Sequence, residues 1–138
     1  MDEAKQAPAI ILITHGHMGQ ELLRSVEMII GHVDDFYCLS LMEGMDPMEL
    51  RQELLELIKG FSVPPILMTD LYGGSPSNIA ATFVGRGAAD VIAGVNLPMV
   101  IEAVMLRIQG RYDMGQQLVA VGQEAVVDIG KVMRERKR

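Results

Sequence analysis

The sequence predicts a single three-layer α/β/α domain built on a mainly parallel, four-stranded sheet, and three observations carry that expectation. Short apolar runs alternate along the chain with amphipathic stretches of helix length, the pattern of successive strand–helix–strand units. The apolar runs are nearly continuous, as required of strands covered on both faces. With 138 residues, 49% hydrophobic and 22% charged, the chain is long enough for one well-formed core and leaves little room for a second domain.

The first strand is read over "PAIILIT", residues 8–14. It leads through Gly16 and Gly19 into a helix with Leu22, Leu23, Val26, Ile29 and Ile30 on one face, closed by Gly31. "FYCLSL" is the second strand. In the helix that follows, Asp46 caps, Pro47 takes the first helical position, and Glu49 completes a capping-box arrangement. Leu50, Leu54, Leu57 and Ile58 form its buried stripe, and Gly60 stops it. The third strand is "PPILMTD", followed by the turn "LYGGSP" and a helix through "SNIAATFVGR", with Ser75 as N-cap and Pro76 as the first helical residue. "DVIAGV" is the fourth strand, after which Asn96 to Pro98 turn the chain into the helix "PMVIEAVMLRI". A last amphipathic segment from Asp113 places Leu118, Val121, Ala125, Ile129 and Val132 on one side.

Composition removes several classes of function. The formal net charge of −6 disfavours a nucleic-acid binder, and the one basic cluster, "KVMRERKR", reads as a solvated helix end. The acidic opening "MDEAKQAPAI" and the short apolar run behind it fit neither a secretory signal nor a membrane span, so a cytoplasmic protein is expected. Cys38 is the sole cysteine, which excludes an internal disulfide, and its apolar setting makes it a small buried hydrophobe. The eleven Met residues read as core filler. "THGHMG" lacks the G-x-G-x-x-G fingerprint, no phosphate-binding G-x-x-x-x-G-K-[ST] loop occurs, and "HGH" has no further His or Cys cluster to complete a zinc site. Neither a metal nor another cofactor is expected.

In an open parallel sheet, ligands bind beyond the carboxyl ends of the strands, where the strand order reverses. With the flavodoxin-like order 2-1-3-4, the first and third strands are neighbours at that point, bringing His15 and Asp70 together, with Asn96 on the same rim. A carboxylate that accepts a hydrogen bond from one ring nitrogen fixes the tautomer and frees the other nitrogen's lone pair, as a nucleophilic or proton-transferring histidine requires. The turn holding Gly73, Gly74 and Ser75 adds open backbone N–H groups, a hydroxyl and a helix start, a combination suited to a phosphoryl group or another anion. Each part also has a plainer reading: His15 as a structural residue, Asp70 as an exposed turn residue, Ser75 with Pro76 as a helix cap. His17 lies in a first helical turn beside the site, and His32 reads as surface. A serine hydrolase using Ser75, His15 and Asp70 is an alternative, although Ser77 replaces the last Gly of a G-x-S-x-G elbow and Pro76 removes the N–H that helps form an oxyanion hole.

"ILITHG", "TDLYGGSPSNIA" and "VIAGVNLPMVIEAV" occur in an order that resembles the IIA domain of the mannose-type phosphotransferase system over nearly the whole chain, residues 1–138. The resemblance implies a phosphotransferase subunit in which His15 accepts a phosphoryl group from the phosphocarrier HPr and passes it to a IIB protein. It assigns Asp70 as the hydrogen-bond partner of His15, Ser75 as a phosphate ligand, and Thr14, Gly73 and Gly74 to the same site. Nε2 of His15 would be the nucleophile, with no metal required. It further implies a cytoplasmic homodimer, with a carboxyl-terminal element at the dimer interface that can be exchanged between subunits, and contact with the membrane only through a IIC/IID permease. Tyr72 stands where the family often has Trp. No IIB domain follows, so the acceptor is expected to be a separate protein; a regulatory module reporting its phosphorylation state to other proteins is the alternative.

Overall fold

The computed structural model describes residues 7–137. In chain order the elements are β1 (Ile10–His15), α1 (Met18–Ile30), β2 (Phe36–Leu41), α2 (Pro47–Lys59), β3 (Ile66–Thr69), α3 (Ser75–Ala81), β4 (Asp90–Ala93), α4 (Leu97–Ile108), α5 (Gly115–Glu124) and α6 (Ile129–Arg136). The four strands form one sheet in the order β2-β1-β3-β4, and every pairing is parallel. Fold class and strand order therefore agree with the sequence expectation.

The reason for the order is visible in β1. Ile10, Ile11, Leu12 and Ile13 are all fully buried. Ile10 and Leu12 pack with Val26 of α1, Ile66 and Met68 of β3 and Val100 of α4, whereas Ile11 and Ile13 pack with Leu50 and Leu54 of α2 and Ile79 of α3. Successive residues of a strand point to opposite faces, so a run apolar at every position is satisfied only where helices cover both sides. Burying each such side chain is worth about 1.5–3 kcal/mol, enough to hold β1 in the middle of the sheet. Its neighbour β2 is an edge strand and is only half-buried throughout. Helix α1 lies close to the sheet at Gly19, where an added Cβ would come within 3.2 Å of Leu12 Cβ.

The local signals act as chemistry predicts, with some corrections. Asp46 caps α2 by accepting the Met48 N–H at 2.9 Å, two residues on, so the cap does not take the box geometry expected with Glu49. Gly31 and Gly60 end α1 and α2. The N-cap of α3 is Gly74, not Ser75, which is the first helical residue, and the helix stops at Ala81, well short of Arg86. Ile29 is 59% exposed and falls outside the buried stripe of α1, which is confined to Leu22, Leu23, Val26 and Ile30. The last amphipathic segment is two helices. Adjacent β-branched Val126 and Val127 are poor helix formers, and Asp128 starts a new helix by accepting the Lys131 N–H at 3.0 Å. Leu118 is accordingly buried, while Ile129 and Val132 are exposed.

At the amino-terminal end of the sheet, the half-buried guanidinium of Arg107 donates to the carbonyls of Pro8, Asp34 and Asp35. Burial lowers its pKa and the two aspartates raise it, leaving the group below its ordinary value. This end is closed by a clamp of main-chain contacts.

The two-sided core makes a direct prediction. Leu54→Ala should lower the free energy of unfolding in urea by about 2–5 kcal/mol, whereas Ile129→Ala, on the exposed face of α6, should change it by no more than about 0.5 kcal/mol.

Candidate functional site

His15 is the last residue of β1, and Asp70 follows β3 directly. Ile13 is in register with Thr69, so both residues emerge side by side where the connections from β1 and β3 leave the sheet in opposite directions. One carboxylate oxygen joins them: Asp70 Oδ2 accepts the backbone N–H of His15 at 2.9 Å and lies 2.8 Å from His15 Nδ1. A carboxylate only accepts, so Nδ1 carries the ring proton and Nε2 keeps its lone pair. The Asp70 side chain is 10% exposed and that of His15 48%, so the pair is anchored below and open above.

Burial alone would push the Asp70 carboxyl up. The His15 backbone N–H, the ring N–H, the ring's charge and its own backbone N–H together outweigh burial and hold it below the ordinary carboxylate range. The anion is therefore the form this geometry selects.

The ring is bordered by the turn 71–74. An added Cβ on Gly74 would come within 3.0 Å of His15 Cε1 and 3.7 Å of Nε2, so a side chain there would crowd the free nitrogen. Gly73 has φ +89° and Gly16, directly after His15, φ +57°, both in the left-handed region where glycine carries no steric penalty. Ser75 opens α3 half-buried, in a first turn whose N–H groups have no partners within the helix. Among the described residues no hydrogen bond joins Ser75 to His15, so the geometry does not assemble a serine–histidine–aspartate triad. Thr14 is fully buried beneath the site, its hydroxyl accepting the Gly19 N–H at 3.0 Å and facing the Gly16 carbonyl at 3.4 Å. It braces the loop that carries His15.

The remaining candidates fall elsewhere. His17 is exposed at the N-cap of α1 and makes no capping bond. His32 is paired with Asp34 at 2.7 Å and Glu27 at 3.4 Å, away from the cleft. Asn96 caps α4 by accepting the Met99 N–H and donates to the Gly122 carbonyl at 2.9 Å, so its side chain is committed to packing α5. Cys38 is a free thiol that burial pushes up to about 11, consistent with an unreactive apolar side chain. Thr69 and Ser77, neither of them a site candidate from the sequence, form a buried hydroxyl pair directly behind the turn. Around the opening, Leu71 and Tyr72 are 61% and 89% exposed, and Met18 is 43% exposed. Among the described residues no helix is long and apolar enough to cross a membrane.

A doubly wound parallel domain that presents one oriented imidazole beside a glycine-rich turn and a helix start defines a class of small α/β domains with a histidine at the mouth of the sheet. The family model described as the PTS system fructose IIA component, EIIA-man, matches residues 9–119, and the chain belongs to that family. It is 34% identical to the sorbose-specific EIIA component of the phosphotransferase system of Lacticaseibacillus casei, over 70% of this chain and 71% of that protein. It is 32% identical to the mannose-specific EIIAB component of Escherichia coli K12, over 72% of this chain but only 32% of that longer protein. Among solved structures, the EIIA component from Streptococcus agalactiae superimposes with a TM-score of 0.81 at 28% identity, covering 89% of this chain and 98% of that one. The mannose/sorbose-specific IIA subunit from Enterococcus faecalis does so with a TM-score of 0.76 at 33% identity, covering 88% and 94%.

The lowered pKa of Asp70 sets a pH dependence. A carboxyl more acidic in the folded than in the unfolded chain contributes stability that is complete above the ordinary carboxylate range and disappears as pH falls through it. The gap in unfolding free energy between the wild type and Asp70→Asn should be constant near neutrality and narrow below about pH 4, in urea titrations across pH.

Proposed function

We propose that this chain is a phosphoryl-relay component of the phosphoenolpyruvate-dependent sugar phosphotransferase system, accepting a phosphoryl group from phospho-HPr on His15 and handing it to a IIB protein. The observation that carries the reading is the shared Asp70 Oδ2, which accepts the Nδ1–H, favours that tautomer and leaves Nε2 as the nucleophile. In the forward step the Nε2 lone pair attacks phosphorus in line. A new N–P bond forms as the donor's N–P bond breaks, and the donor imidazole departs with that electron pair. The developing imidazolium of His15 is stabilised through its Nδ1–H by the Asp70 anion. Transfer to the IIB protein reverses these roles.

The Ser75 hydroxyl and the backbone of Gly73 and Gly74 would take up charge on the phosphoryl oxygens, and Thr14 contributes from below by bracing the His15 loop. The exposed side chains of Leu71, Tyr72 and Met18 supply apolar contact for both protein partners. The reaction in this form uses no metal and no other cofactor. The proposal includes a cytoplasmic homodimer that meets the membrane only through its permease partners.

Radiolabelled phosphoenolpyruvate with enzyme I and HPr should label the chain with an acid-labile, base-stable phosphohistidine. His15→Ala should abolish the label, and Ser75→Ala should slow labelling by about tenfold or more. Undiminished labelling of His15→Ala overturns the reading.

A further inference from the structure

We infer that Ser77, backed by Thr69, is a positioning residue that sets the Asp70 carboxylate and Gly74 against the His15 ring through the Leu71 carbonyl. The effect on reaction rate rests on the phosphoryl-acceptor reading above; the effect on ring geometry does not.

Thr69 and Ser77 are 1% and 7% exposed, and a hydroxyl that deeply placed is costly unless bonded. Ser77 Oγ lies 2.6 Å from the Leu71 carbonyl and 2.5 Å from Thr69 Oγ1. The carbonyl has no proton to give, so the Ser77 proton points to Leu71. The Thr69 hydroxyl must then be the donor to Ser77. The Leu71 carbonyl also accepts the Gly74 N–H at 3.0 Å. Proton donation thus runs from Thr69 to Ser77 to the Leu71 carbonyl, each bond polarising the next, and the same carbonyl receives the turn's return from Gly74.

This chain of bonds brackets Asp70. Thr69 precedes it, Leu71 follows it, and Gly74 is the residue that touches His15 Cε1 most closely were a side chain added. Among the described residues, His15 is the only other residue that hydrogen-bonds the carboxylate, through Oδ2, and the buried Oδ1 has no hydrogen-bond partner. Its placement therefore follows the backbone on either side, which Ser77 pins. A residue serving only to start α3 would bond that helix's own N–H groups. Ser77 instead bonds a carbonyl six positions upstream, across the turn.

The test compares the wild type, Ser77→Ala and the double variant Thr69→Val/Ser77→Ala. The single variant leaves the Thr69 hydroxyl buried without its acceptor and should lose thermal stability. The double variant removes both hydroxyls and should recover most of it. Neither restores the bond to Leu71. Nitrogen-15 NMR of the unphosphorylated His15 ring should therefore show a mixed tautomer in both variants, against predominantly Nδ1–H in the wild type. Transfer from phospho-HPr should fall about tenfold in both. A double variant with a wild-type ring spectrum and a rate within about twofold of wild type overturns the inference. If the wild type takes no label at His15, the proposed function fails, and the ring spectra alone decide the role of Ser77.

Discussion

A single oxygen atom holds the candidate site of this domain in place. Asp70 Oδ2 receives both the main-chain N–H and the ring N–H of the same histidine, so the end of β1 and the loop after β3 are tied at backbone and side chain at once. Two bonds to one acceptor fix where the strand ends and which way its last ring turns. Such a contact exists only because β1 and β3 are adjacent, and they are adjacent because β1 is apolar at every position from Ile10 to Ile13 and must sit inside the sheet. The hydrophobic interior thereby determines which imidazole meets which carboxylate.

The surroundings keep the ring available. Glycine at 16 and 73 permits turns with positive φ on either side, and at 74 the requirement is spatial, since the backbone there has ordinary angles and only the missing side chain matters. The buried Thr14, Thr69 and Ser77 hydroxyls bind loop backbone to strand ends, giving irregular segments the rigidity of the sheet. Precision is thus supplied from beneath the cleft, and openness from above it.

Much of this was legible in the sequence, for identifiable reasons. Continuous apolar strands, Pro47 behind Asp46 and Gly31 at a helix end are local signals whose effect does not depend on distant residues, and they placed the elements well. His15 and Asp70 were found from a topological rule, because 55 residues separate them and no local pattern links them. The Thr69–Ser77 pair escaped notice because two hydroxyl residues eight apart carry no periodic signature; only the turn's path brings them together. Ser75 as a cap and the last segment as one helix were misread where several weak preferences compete. A glycine with extended angles caps α3 without any side chain, and two adjacent β-branched residues suffice to interrupt a stripe that spacing alone would continue.

The molecule has two unlike ends. Arg107 gathers main-chain carbonyls at one, while at the other a lone ring nitrogen, its twin occupied by Asp70, faces outward between Gly74 and an apolar rim. A lone nitrogen has room for one visitor. In the proposed relay its two protein partners would exclude each other, so that transfer would proceed by alternation and an abundant partner on one side would act as a competitive brake on the other.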